Sequence, residues 1–300
     1  MTKLIDLCDI QYGYAFDSNC FSKDNSYPQL ARIRDVKRGY SETFYTGKYP
    51  KEYVLSAGDL LIGMDGEFNV ARWKIDGALL NQRVCKVVAK NGTNEEYIRF
   101  FLLKQLKTIE EKTSFVTVKH LSAREINKIE VDIPKLCEQE KIATTLLMLE
   151  RIEELRNREL LLLDELVRGR FVELFGHPEN NEMNWPQYCF GDICTVRQGL
   201  QIPISKRLTE TEENCYEYIT DAYLHGGKER EYIKDPKDSV ICHEDDILMT
   251  RTGNTGMVVT DVEGVFHNNF FLIDFDRNRF SKGFLVEYLN LDYIQADILR

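Results

Sequence analysis

The sequence predicts an α+β protein built from two similar domains joined by one long helix. Three observations carry that expectation. The apolar run GDLLIGMDG at 58–66 returns as DDILMTRTG at 245–253, an offset of 187. LIDLCDIQYG (4–13) matches FGDICTVRQG (190–199) at 186, pairing Asp6 with Asp192, Cys8 with Cys194 and Gly13 with Gly199. ALLNQRVCKVV (78–88) matches VFHNNFFLIDF (265–275) at 187, pairing Asn81 with Asn268. Three matches in one order point to one domain used twice.

Taken along the chain, residues 1–134 form the first domain. Short β-rich runs such as DLLIGM and RVCKVVA alternate with Gly, Asn and Asp turns, and a helical pattern follows at 94–112. Residues 184–300 repeat this order and close on a helical pattern at 281–299. Two copies are too few for a solenoid, whose units cannot bury a core alone, so each copy folds by itself. Between them, at 135–183, the stretch from Glu138 to Phe175 has no proline and one glycine, Gly169. Apolar residues recur there every three or four positions, at Ile142, Leu146, Leu149, Ile152, Leu155, Leu160, Leu163, Val167 and Leu174. Pro134 precedes this run, and Gly176 and Pro178 stop it. The pattern predicts one helix of coiled-coil type, about 57 Å long at 1.5 Å per residue, or roughly 17 base pairs of duplex. Two readers held apart by a rod suit an extended, two-part ligand.

Composition bounds the class. With 43% hydrophobic and 29% charged residues, a 300-residue chain has room for two cores. No apolar run reaches the roughly 18 residues of a membrane span, and no signal-peptide block opens the chain, so the expected location is the cytoplasm. Eight cysteines without a CxxC pair predict free thiols and no structural zinc; no cofactor is expected. The net charge of −10 argues against a nucleic-acid partner, but it is uneven: residues 1–134 carry 20 Lys and Arg against 18 Asp and Glu, and residues 184–300 carry 12 against 20. Charge alone therefore does not exclude DNA.

The stretch VDIPKLCEQEKIATTLLMLERIEELRNRELLLLDELVRGRFVELFG (131–176), the opening WPQYCFGDICTVRQG (185–199) and the two GDLL-type strands resemble the specificity subunit of Type I restriction-modification systems. In that family a recognition domain runs through an isoleucine–proline and glutamate–glutamine segment into a long helix, and Ile133, Pro134, Glu138 and Gln139 stand in those places. The resemblance implies two target-recognition domains, each reading half of a split double-stranded DNA sequence. It also implies helices that set the spacing and dock methyltransferase (M) subunits and, through them, restriction (R) subunits. The chain itself would be non-catalytic. In the family a second helix follows the second recognition domain and packs antiparallel on the first. No counterpart of residues 113–176 follows the second copy here, so the resemblance implies either a truncated chain or a helix partner from another molecule, including self-association through the spacer helix. The stripe Ile142, Leu146, Leu149, Ile152, Leu163 and Val167 is the expected partner-helix interface.

A DNA reader needs cationic and amide side chains on loops that reach phosphates and base edges. In the first copy the candidates are Arg32, Arg34, Lys37 and Arg38 in ARIRDVKRGY, then Arg72 and Lys119. In the second they are Arg197, Gln198, Lys206, Arg207, Lys228, Arg251 and Asn254. For any one of them the alternative is a solvated surface charge. Gly13, Gly66, Gly199 and Gly253 recur at matched places, which predicts shared turns with φ > 0. Asn81 and Asn268 also recur, so they are expected to turn or cap the fold, because base readers should differ between copies that read different half-sites.

Catalytic readings find little support. There is no GxxxxGK[ST] loop and no HExxH helix, and the five histidines are scattered. Glu110 and Lys112, with Asp59 and Asp65 as conceivable metal carboxylates, would suit a metal-dependent nuclease, though that pair sits in a charged helix end. CHEDD (242–246) reads as an acidic turn before a strand. A coiled-coil scaffold explains the helix but not the duplicated domain with its basic, glycine-rich loops.

Overall fold

The computed structural model describes residues 2–112, 120–227 and 230–299. The chain divides into two compact units, Met1–Asn157 and Arg158–Arg300, and the division falls within the long helix.

In unit 1 the apolar runs become one antiparallel sheet in the order Cys8–Tyr12, Val84–Ala89, Leu60–Gly63, Val70–Arg72. Leu60–Gly63 is buried at every position, which explains why GDLLIG shows no polar alternation. Its period of two sends Leu60 and Ile62 into one core and Leu61 into a second. The first core is completed by Ile98, Leu102 and Leu106, spaced four apart on helix Glu95–Lys112. The second lies under a small mixed sheet, in which Ala78–Leu80 pairs parallel to Leu30–Ala31 and antiparallel to Val54–Leu55. Residues 120–131 close the first core. Leu121 N–H donates to Met64 O (2.7 Å), and Ser122 and Glu125 form a capping box over the turn Ala123–Ile126. Glu130–Val131 then pairs with Thr2–Lys3.

Unit 2 repeats the topology of these two sheets, with one more strand, Tyr232–Lys234, on the mixed sheet. Its sheet runs Cys194–Gln198, Phe270–Phe275, Ile247–Thr250, Val258–Val259, all antiparallel. Its mixed sheet sets Gly264–Phe266 parallel to Cys215–Ile219 and antiparallel to Ile241–Cys242. The duplication is therefore structural, but one detail of the sequence match is corrected. Val84 N–H bonds Asn81 O (3.2 Å) and Phe270 N–H bonds His267 O (3.0 Å), so Asn81 matches His267 at an offset of 186, and Gln82 matches Asn268. Asn81 and Asn268 both sit in this turn, but neither caps it through its amide: their side-chain Oδ1 atoms are buried without a hydrogen-bond partner.

The glycines also divide. Gly66 and Gly253 have φ of +69° and +81°, as expected. Gly13 and Gly199 do not fall in the positive-φ region; a Cβ would sit 2.0 Å from Asn81 O and 2.3 Å from His267 O, so close backbone approach is what requires glycine there. The helical pattern at 281–299 is two helices, Lys282–Leu289 and Asp292–Ile298. Gln295 Nε2 holds the break by donating to Leu289 O (2.7 Å) and Gly256 O (2.8 Å).

The spacer helix is Leu136–Phe175, two residues longer at its start than its periodicity predicts, and Gly176 ends it with its N–H on Val172 O (2.8 Å). Gln139 is the joint between this helix and unit 1. It is 1% exposed, accepts the N–H of Asn94 (2.8 Å) and donates to Pro134 O (2.9 Å) and Gly92 O (3.3 Å). Arg99, also buried, binds Glu96 (2.6 Å) and both carboxylate oxygens of Glu150 on the spacer (2.9 and 2.6 Å). Burial alone would raise the pKa of Glu96, but its bonds to Arg99 and Arg72 hold it below the usual carboxylate range. Among the described residues no helix is long and apolar enough to cross a membrane.

Gln139→Ala strands the Asn94 N–H and two carbonyls at this joint. It should destabilise unit 1 by about 1–3 kcal/mol, read as a lower urea midpoint for the full chain. An unchanged midpoint would show that water replaces the amide freely.

Candidate nucleic-acid interface

In unit 1 the loop after Leu30–Ala31 is held from below. Asp35, 2% exposed, accepts from Ser41 Oγ (2.8 Å) and pairs with Arg38; Gln29 Oε1 accepts the Ser41 N–H (2.9 Å). A fixed loop then projects Arg34 and Lys37 outward, both exposed. Arg32 is half-buried, 5.7 Å from the Phe21 ring and 3.3 Å from Thr43 Oγ1. Burial, and next the charge of Arg34, hold its pKa below the usual guanidinium value. Arg32, Arg34 and Lys37 line one concavity with Phe16, Phe21, Asn69, Gln82 and Arg83. Cations for phosphate, amides for base edges and aromatic faces for stacking thus share one surface. Asp65 and Glu67 lie there too, and Lys37 is 3.8 Å from Glu67.

In unit 2 the matched turn, His267–Phe270, gathers the candidates. Gln198 Nε2 donates to Asn268 O (3.4 Å), and the Arg251 N–H donates to Asn269 O (2.6 Å). The Arg251 guanidinium is exposed, 5.9 Å from the Phe271 ring. Thr250 Oγ1 anchors its loop by donating to Asn254 O and accepting the Met257 N–H (2.9 Å), which leaves the Asn254 side chain at the exposed tip. Arg197, also exposed, reaches Ser239 O (3.3 Å), and Lys206 is exposed on the turn Ile204–Lys206.

Two candidates have their donors committed within the fold. Arg72 binds Glu95 (2.8 Å), Glu96 and Gly58 O (2.5 Å), joining the sheet edge to helix Glu95–Lys112. Arg207 is fixed by Glu231 (2.9 Å) and Ile202 O (2.8 Å) over the Tyr218 ring. Lys119 and Lys228 lie outside the described residues. The carboxylates considered for a nuclease are apart in role. Asp59 closes the turn before its strand through the Ser56 N–H (2.8 Å) and pairs with Lys86 (2.8 Å), and Asp246 of CHEDD does the same with the His243 N–H (2.9 Å). Asp65 instead faces His120 and Arg83. The side chain of Lys112 is outside the described residues, and among those described no group of three or more His, Cys, Asp or Glu could hold a metal ion.

Sequence reasoning missed Asn69, Gln82, Arg83 and His120 in unit 1, and His267 and Asn269 in unit 2. A signal was present. The turns NQRV and HNNF join matched strands yet differ in content, and the one-residue error in the match hid this.

His267 provides a pH test of the turn. Burial, then the charge of Arg207, hold its pKa below 6.5, so the folded chain keeps the ring neutral while the unfolded chain protonates it as pH falls through that value. Stability is therefore present above that pH and lost on acidification. His267→Gln should flatten this loss between pH 7.5 and 5.5 in urea unfolding, whereas an identical pH slope would show that the ring is solvated.

A model of the Type I restriction modification DNA specificity domain matches residues 1–163. The specificity subunit of the Type I restriction enzyme EcoBI from Escherichia coli is 41% identical over 141 residues, which are 47% of this chain and 30% of that protein. The chain thus matches under a third of that relative's length. The crystal structure of a Type I restriction-modification S subunit from M. genitalium covers 99% of this chain and 77% of its own, with a TM-score of 0.57 and 18% identity, and so shares its fold.

Proposed function

This chain belongs to the family of Type I restriction modification DNA specificity domains, and we propose that it reads a two-part double-stranded DNA target, one part per unit, and directs M subunits and, through them, R subunits to it. One observation supports this most: the two units share a strand framework while the turns and loops it displays carry different polar residues. A common framework sets a common docking geometry. Different side chains at equal depth then meet different base edges. In unit 1 the readers are Arg32, Arg34, Lys37 and Arg38, joined by Gln82 and Arg83. In unit 2 they are Arg197, Gln198, Lys206, Arg251 and Asn254, joined by Asn268 and Asn269. Arg72 and Arg207 are left to the fold.

The chain contributes specificity, not chemistry or bulk affinity. Its net charge of −10 gives little non-specific attraction to a polyanion, so tight binding requires the cationic surface of its partners. The work is done in the cytoplasm, with residues 1–134 and 184–300 as readers and 135–183 as spacer. On the spacer, Leu149, Ile152, Leu163 and Val167 are about half exposed and Ile142 is 42% exposed, an apolar surface that suits packing against helices of an M subunit or a second spacer.

Two outcomes follow. Arg251→Ala, tested by selection from random duplexes in the assembled complex, should relax one half of the target only, at about 1–3 kcal/mol if the guanidinium is bidentate to guanine. Equal loss in both halves, or none, would remove Arg251 from readout. Leu149→Asp with Leu163→Asp should abolish co-purification with an M subunit while both units keep their circular dichroism. Normal assembly by the double variant would assign the stripe another role.

A further inference from the structure

Both units build the same backbone joint beside the closing turn of the sheet, and they fill it differently. Met64 N–H donates to Arg83 O (2.8 Å), and Arg251 N–H donates to Asn269 O (2.6 Å). These are matched pairs, because Gly63 opposes Val84 as Thr250 opposes Phe270. Each joint therefore carries one arginine, on the turn in unit 1 and on the opposing strand in unit 2. The residue after Met64 is Asp65, and its match after Arg251 is Thr252. Only unit 1 has a carboxylate at that position.

Arg83 holds an unfavourable backbone conformation. Its φ is +68°, and the other described non-glycine residues with positive φ are all Asn or Asp: Asn181, Asn184, Asn214, Asp235 and Asp261. Those types tolerate the left-handed region through short polar side chains that bond locally, an advantage arginine lacks. Asn269, at the matched place, does not adopt it. The turn itself therefore does not require this conformation, and an arginine kept in it is kept for its side chain. That side chain is also held. Arg83 Nη1 lies 3.4 Å from Asp65 Oδ1 and 2.9 Å from His120 Nδ1, and the same carboxylate oxygen contacts that ring nitrogen. The backbones of Asp65 and His120 form a bridge, which fixes both. Asp65 carries the one negative charge among the three, so it is the group that draws the guanidinium into place. Among the described residues Arg83 makes no bond through Nε or Nη2, and half of its side chain is exposed. Those two N–H groups form one edge of the guanidinium, a fork that fits O6 and N7 of guanine. Arg83 lines the concavity that also holds Gln82 and Asn69.

We propose that Asp65, backed by His120, is a positioning residue that orients Arg83 to read a guanine in the half-site of unit 1. The inference rests on the DNA-reading role proposed above and deepens it. An acidic side chain on a surface that meets a polyanion repels phosphate, but here its charge serves orientation: it holds Nη1 and leaves the Nε–Nη2 edge for the base. Unit 2, with Thr252 in place of Asp65, orients Arg251 without such a carboxylate.

The test is selection from random duplexes by the assembled complex, comparing the wild-type chain with Arg83→Gly, Asp65→Ala and the double variant. One block of the wild-type motif is expected to contain a guanine whose preference falls about tenfold or more in Arg83→Gly. Glycine accepts φ of +68° without penalty, so the urea midpoint of that variant should not fall. Asp65→Ala should weaken the preference for the same base about threefold or more, leave the other block unchanged, and add nothing in the Arg83→Gly background. Asp65→Asn, which keeps the size and removes the charge, should act like Asp65→Ala and serves where the smaller side chain perturbs the turn. An Asp65→Ala motif identical to that of the wild type would overturn the proposal. So would a change spread evenly over all sequences, since Asp65 would then act only by repelling phosphate, or an effect of equal size when Arg83 is absent. A wild-type complex that selects no motif would fail the DNA-reading role itself, and this proposal with it, whereas a two-block motif that ignores Asp65 would leave that role standing and remove only the positioning.

Discussion

The close pass of the first strand over the closing turn of its own sheet is the constraint on which each unit depends. Gly13 N–H donates to Val84 O (2.9 Å) and Tyr14 N–H to Leu80 O (3.0 Å); Gly199 N–H donates to Phe270 O (3.2 Å) and Leu200 N–H to Phe266 O (3.1 Å). These bonds need the two backbones closer than any side chain allows, and a Cβ at either glycine would overlap a carbonyl. The chain thereby crosses from the four-stranded sheet to the mixed sheet at one fixed point. Residues 81–84 and 267–270 are pinned there, and what they and the adjoining loops display is held in the same frame in both units. Readout by side-chain identity requires a frame of this kind, since a shift of an ångström costs the hydrogen-bond geometry that discriminates bases.

Much of this was legible in the sequence because backbone requirements leave strong marks. Gly13 and Gly199, the aspartates at 59 and 246 that close matched turns, and the apolar runs that become Leu60–Gly63 and Ile247–Thr250 all fix the repeat. The long helix shows in its periodicity and in Gly176. The sequence is weaker wherever one residue type has two uses. Arg72 and Arg34 look alike in composition, but Arg72 lies opposite Glu95 and Glu96, a juxtaposition that only the packing of helix Glu95–Lys112 on the sheet creates. Arg207 is spent in the same way, on Glu231. Gln82 and Arg83 were hidden by a match slipped by one residue, because Asn81 and Asn268 are identical in type but not equivalent in position.

The joint at the start of the long helix ties that helix to the core of unit 1. Gln139 spans from the turn before helix Glu95–Lys112 to the spacer, and Arg99 ties that helix to Glu150 three turns further along. A surface ion pair would contribute little, but Arg99 is withdrawn from water and its guanidinium is bidentate to Glu150. The spacer therefore leaves unit 1 in a direction set by the same helix that fills its core. Beyond that joint most apolar side chains of the helix are exposed as far as Phe171, which is 6% exposed and stacks against Phe284 near the helix end.

Genome-wide mapping of methylated sites, in cells with and without this gene, tests the central claim most directly. The expected result is a set of sites sharing a motif of two specified blocks separated by unspecified bases, present with the gene and lost without it. A single contiguous motif, or a methylation pattern that does not change when the gene is removed, would contradict the assignment of one half-site to each unit.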